Sequence, residues 1–250
     1  MTESSISRRE FTTSTLQSLL TLAFLETLHV GDAFGKEIKP IAAKWLKDLD
    51  ELGHDVKGEK ISQLVWQKKI EELFSKIELP ELLRFLDFEK LTANLEFRDL
   101  GERSLRPVFP KVEGLPTELV FGHQVFALQK GRSVVPHGHD NMCTAFLILD
   151  GEFQGRLYDR LEDDRTSMIL KPSVNETFKT GQVSTISEKK DNVHWFKANS
   201  ERGFIFNIHV MNLHAGKTGR VYVDPQGEEI GDGKIRAKKI KAAEAFKLYG

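Results

Sequence analysis

The chain has a single cysteine, Cys143, among 250 residues, so an intramolecular disulfide is excluded and packing alone must hold the fold. That is usual for a cytosolic protein, and it does not exclude export. The chain also lacks an excess of charge: 36 Lys and Arg against 37 Asp and Glu leave a formal net charge of −1. No global basic field argues for nucleic acid. The basic cluster from Lys234 to Lys241 reads as a solvated face near the C-terminus. No apolar run is long enough to span a bilayer, so stable membrane insertion is not expected. Internal repeats and low-complexity segments are absent too.

What is present is the composition of a soluble globular protein, 40% hydrophobic and 29% charged. The length suits one large domain with an extension. Residues 1–35 admit two readings. Ser7-Arg8-Arg9-Glu10-Phe11, followed by the mildly apolar Leu16–Leu28 and by Ala33-Phe34-Gly35, has the form of a twin-arginine export signal, which would place the protein in the periplasm or outside the cell. Alternatively, Ser7 and Glu10 form a capping box, and Leu16, Leu19, Leu20, Ala23, Phe24 and Leu28 share one face of an amphipathic helix in a cytoplasmic protein.

Residues 36–97 carry helical spacing. Ile38, Ile41, Ala42, Trp45, Leu46, Leu49 and Leu52 form one stripe, and Gly53 to Gly58 punctuates it. A second stripe runs from Ile61 to Ile77, and a third continues past Pro80 through Leu82, Leu83, Leu86 and Leu91. These helices hold no cluster of chemical residues and read as a packing layer or a homodimer interface. They contain no basic recognition helix. Residues 98–117, with their Pro and Gly, read as a linker loop. From Glu118 the period changes to that of strands, with many short segments separated by turn residues through to 250, as in a sandwich or barrel. Asp150-Gly151 has the chemistry of a hairpin turn, and Ala242–Leu248 that of a closing helix.

Chemistry concentrates in Gly131-Arg132-Ser133-Val134-Val135-Pro136-His137-Gly138-His139 and in a third histidine, His194. Histidines at i and i+2 on a strand point to one face, the simplest way for a sheet to offer two imidazoles to one metal ion. With Gly131, His137, His139 and Gly151 at their spacings, and His194 in Asp191-Asn192-Val193-His194-Trp195-Phe196, residues 118–225 resemble the cupin superfamily. The resemblance implies a mainly β fold, a double-stranded β-helix (jelly-roll barrel), here with an N-terminal α-helical extension. It implies His137, His139 and His194 as metal ligands. The acidic ligand of the motif would fall at Thr144.

A three-histidine site without a carboxylate resembles the thiol dioxygenases, the cysteine dioxygenase group. A Ser-x-His-x-Tyr segment of that group is matched by Asn207-Ile208-His209-Val210-Met211, in which only the histidine is kept. Cys143 lies one place from the position of a crosslinked cysteine, and the tyrosine partner is missing, so that crosslink is not expected. The resemblance implies Fe(II), or another divalent transition metal, with O2 and a small thiol or similar bidentate molecule as reactants. His209 and Tyr158 are the candidates for the chemistry beside the metal. Arg156 and Arg132 are the candidates for holding a substrate anion, with Arg106 and Arg160 in reserve. Arg156, Tyr158 and Arg160 alternate on one strand face, and the sequence leaves open whether that face looks inward. Cupins also host isomerases and other oxygenases, and some bind small ligands without catalysis, so both alternatives stand.

Overall fold

Two antiparallel sheets face one another, and a layer of helices covers one of them. The computed structural model describes residues 35–109 and 118–250, with side chains from Ala42 onward. The twin-arginine-like segment and Leu16–Leu28 lie outside the described residues.

Helix α1 (Gly35–Lys57) buries Ala42, Trp45, Leu46, Leu49 and Val56, the face that its periodicity marks. It does not stop at Gly53. A β-carbon there would lie 2.5 Å from Val120 Cγ1, so the glycine serves close packing inside the helix rather than a break. Helix α2 (Gln63–Phe74) begins at Ser62, whose hydroxyl accepts from the Val65 amide at 3.3 Å. Pro80 sits in the first turn of α3 (Leu79–Phe85), where its missing N–H costs nothing. Asp87, at φ 49°, separates α3 from the short α4 (Phe88–Thr92). Among the described residues no helix is long and apolar enough to cross a membrane.

The strands are β1 (Arg103–Leu105), β2 (Gly122–Gln129), β3 (Ser133–Asp140), β4 (Met142–Asp150), β5 (Glu152–Asp163), β6 (Ser167–Lys179), β7 (Val183–Ile186), β8 (Val193–Ala198), β9 (Arg202–Met211), β10 (Gly219–Glu229) and β11 (Ile235–Lys239). Helix α5 (Ala242–Tyr249) ends the chain. One sheet has the order β1-β2-β9-β4-β7. The other, β10-β11-β6-β5-β8-β3, closes on itself because β10 also pairs with β3. The chain passes between sheets from β3 to β4 and again from β4 to β5, the winding of a double-stranded β-helix. Gly151, at φ 85°, makes the expected turn, but β4 and β5 do not pair. Asp150-Gly151 is therefore a sheet-to-sheet crossing and not a hairpin. The expected linker likewise contains a short strand, β1.

Strand β4 shows why the first sheet reads as a continuous apolar run. Its outward residues Cys143, Ala145, Leu147 and Leu149 join Trp45, Trp66, Ile70 and Leu82 of the helices in one core. Its inward residues Phe146 and Ile148 join Phe126, Phe153, Phe178, Phe196 and Ile205 in a second core between the sheets. A strand buried on both faces has no polar alternation to display. A third, smaller core of Tyr158, Met168, Leu170, Val193, Val223 and Ala237 belongs to the self-closed sheet.

Candidate metal centre

His137 and His139 lie two residues apart on β3 and so share its inner face. Strand β8 pairs with β3 so that His194 stands directly opposite His137. The three rings meet, with centroids 4.9 Å (His137–His139), 4.2 Å (His137–His194) and 5.0 Å (His139–His194) apart. One nitrogen from each lies within 4.8 Å of the others. Among the described residues no Asp, Glu or Cys joins this group.

The rings are oriented by their surroundings. The Val135 carbonyl, which can only accept, lies 2.7 Å from His137 Nδ1. His137 therefore carries its proton on Nδ1 and keeps the Nε2 lone pair free. Thr144 Oγ1 lies 3.0 Å from His139 Nδ1, across the strand from His209. Asn192 clamps the backbone of the motif. Its Nδ2 donates to the His139 carbonyl at 2.8 Å, and its Oδ1 accepts from the His139 amide at 3.3 Å. The middle residue must then be small: a β-carbon on Gly138 would lie 2.7 Å from Asn192 Oδ1.

All three histidines are buried, and burial is the main force pushing their pKa values down. Neighbouring imidazoles and the Arg220 guanidinium push His137 and His139 further, well below the usual histidine value. His194 falls to about 3 through burial and Arg220. The imidazoles are thus neutral near pH 7, the form that binds metal. His137 Nε2, His139 Nε2 and both nitrogens of His194 are buried without a hydrogen-bond partner. Unpaired buried polar atoms are costly, and a convergent set of them on three neutral imidazoles fits a divalent transition-metal ion.

The other residues anticipated from the sequence divide. His209 faces the same side as Thr144 and lies near the centre, its ring packed over Gly122, where a β-carbon would meet Nε2 at 2.3 Å. Burial, Arg220, His123 and Arg106 lower its pKa to about 4. Tyr158 and Arg156 do not join. Leu157 is the residue of β5 opposite His194, so its neighbours turn to the other face. Tyr158 is buried in the small third core, and burial raises its pKa. Arg156 stacks over Trp195, its guanidinium carbon 4.4 Å from the ring centroid. Arg132 belongs to the turn before β3, five residues and about 16 Å of strand from His137. Arg160 pairs with Asp140 at 2.6 Å and with Asp163. Cys143 faces the helices, opposite in parity to Thr144, and burial holds its thiol protonated.

The residue that sequence reasoning missed is Arg220. It stands opposite His139 on β10, with Tyr222 opposite His137. The buried Glu102 holds Arg220 at 3.4 Å. The alternation of Arg220 and Tyr222 on a strand was a signal, but only the β3–β10 register places them on the face of the histidines. At the rim a polar pocket of about 360 Å³ reaches His139, walled by Arg160, Glu188, Lys189 and His214.

No protein-family model matches the chain, and a comparison with curated proteins found no match. Solved structures that match part of the chain include a protein of Thermus thermophilus (13% identity, 50% of this chain and 94% of that one, TM-score 0.35). They also include a conserved Klebsiella pneumoniae protein with a double-stranded β-helix domain (13%, 53% and 87%, TM-score 0.34). A third is procruciferin, the 11S globulin of Brassica napus (13%, 42% and 23%, TM-score 0.33), so the chain matches about a quarter of that protein's length. Likeness at this level says nothing of activity. What stands on geometry is a three-histidine centre of metal-binding type inside a double-stranded β-helix.

Proposed function

We propose that the chain is an Fe(II)-dependent dioxygenase that converts a small anionic thiol and O2 to the sulfinic acid. The observation that carries this reading is the histidine triad itself: three neutral, buried imidazoles with free nitrogens and no carboxylate among them. Such a donor set adds no negative charge, so a bound dication keeps its full charge and favours anionic partners. A divalent ion there would supply Lewis acidity toward a thiol and electrons toward O2.

The chain's residues supply the rest. Thr144 and the Val135 carbonyl hold His139 and His137 in orientation, and Asn192 fixes the strand between them. Arg220, itself held by Glu102, is the cation placed to take a carboxylate or similar anion of the substrate. This role passes to it from Arg156, which stacks on Trp195, and from Arg132, which lies in the turn before β3. His209 is neutral near pH 7 and serves as a hydrogen-bonding group rather than an acid. Phe146, 5.0 Å from His194 between ring centroids, and the core behind it keep water from the inner side.

The test is metal analysis with O2 uptake on a panel of small thiols after Fe(II) loading. The expected result is one ion per chain and thiol-dependent uptake yielding sulfinate. Arg220→Gln is expected to raise KM for carboxylate-bearing thiols about 10- to 100-fold, the worth of a charged hydrogen bond, and to spare uncharged thiols. Metal uptake with no oxygen consumption on any thiol would move the protein to the other metal-dependent reactions of this fold. No metal at all would leave a ligand-binding barrel.

A further inference from the structure

The face that α2 turns inward is apolar except at Gln67, which is 5% exposed beside Trp66 and Ile70. A leucine would fill this place, and a buried amide is tolerated only when its hydrogen bonds are met. Those of Gln67 all go to one segment. Its Nε2 donates to the Thr185 carbonyl at 3.1 Å, and its Oε1 accepts from Ser187 Oγ at 2.8 Å. One turn earlier on α2, Gln63 Nε2 donates to Glu188 Oε2, and Gln63 Oε1 accepts from the Glu188 amide, both at 2.9 Å.

Two hydrogen-bond chains run from these glutamines to the histidines. Ser187 Oγ also accepts from the amides of Lys189 and Lys190, shaping the turn before β8, and the Ser187 carbonyl accepts from Asn192 Nδ2. The same Asn192 amide group grips the His139 carbonyl. Glu188 Oε1 accepts from the Asn141 amide at 2.8 Å, at the end of the strand bearing His137 and His139. The turn so held leads directly into Val193 and His194.

We infer that Gln67, seconded by Gln63, is a positioning residue: through the 187–192 turn and Asn192 the helical layer sets the spacing of His139 and His194. The inference rests on the reading of the triad as a metal centre. It gives the extension a role beyond covering the sheet.

The full-length chain tests it, metal-free and with Co(II) as probe. Gln67→Leu keeps the apolar packing of α2 and removes the link. Ser187→Ala removes the same link from the turn and leaves the helix untouched. Hydrogen exchange in the metal-free variants is expected to accelerate about tenfold or more at residues 139–141 and 187–193, and to stay unchanged in β2 and β9. Co(II) affinity, read by chelator competition, is expected to fall about tenfold, with shifted ligand-field bands. The double variant should be no worse than Ser187→Ala alone, which also removes the hydroxyl's bonds to the Lys189 and Lys190 amides. Unchanged exchange at those residues in both variants overturns the inference. So does faster exchange with unaltered Co(II) affinity and spectrum. Failure of the wild-type chain to take Co(II) would sink the metal reading alone, because metal-free exchange still decides whether α2 governs the His139 segment.

Discussion

Thr144 stands where the resembled motif carries a carboxylate, and its hydroxyl lies 3.0 Å from His139 Nδ1. In place of an acidic group stands a hydroxyl that orients the neighbouring imidazole. Thr144→Val keeps the shape and leaves the buried His139 Nδ1 without its hydrogen-bond partner. Metal affinity should then fall about tenfold, at the low end for loss of an orienting partner, and metal-free stability should fall by about 1–3 kcal/mol for the buried nitrogen left unmet. Chelator competition reads the first and urea titration the second; equal affinity in the variant would reduce Thr144 to filler. At this scale the sequence was legible where period alone decides. Two histidines at i and i+2 must share a face. Tyr158 and Arg156 share a face as well, but parity does not say which face is inward. Leu157 opposite His194 decides that, and the pairing of β5 with β8 cannot be read along one strand. Arg220 was hidden for the same reason.

Among the elements, the helices and most strands were legible because each has its own period. Their boundaries failed where a neighbour decides. Gly53 continues α1 because Val120 needs the space, and Asp150-Gly151 reverses the chain without joining β4 to β5. Turn chemistry says that a chain bends, not which sheet receives it. Trp45 shows how firmly the helical layer is bound to the barrel. Its ring centroid is 5.5 Å from that of Phe74 on α2 and 6.3 Å from that of Phe206 on β9. Trp45→Ala should cost about 3–5 kcal/mol in urea unfolding, with a single transition. A loss below about 1 kcal/mol, or two separated transitions, would mean that helices and barrel unfold apart.

Across the whole molecule the space between the sheets is divided. One part is packed with Phe126, Phe153, Phe178 and Phe196, and the other holds three imidazoles with no partner for their inward nitrogens. The folded chain therefore carries an unmet need that the unfolded chain, with hydrated histidines, does not have. An ion that binds only the folded state stabilises it by mass action, by about 2.7 kcal/mol at one hundred times its Kd. For a chain of this length that corresponds to a rise in Tm of about 5–10 °C. Calorimetry of the metal-free and loaded protein should show this rise. His194→Ala should fold, because Phe146, Phe196 and Leu157 still pack around it, yet it should show no rise. A rise of equal size in His194→Ala would mean that the ion binds elsewhere, and the triad would then be only a cluster of neutral core histidines.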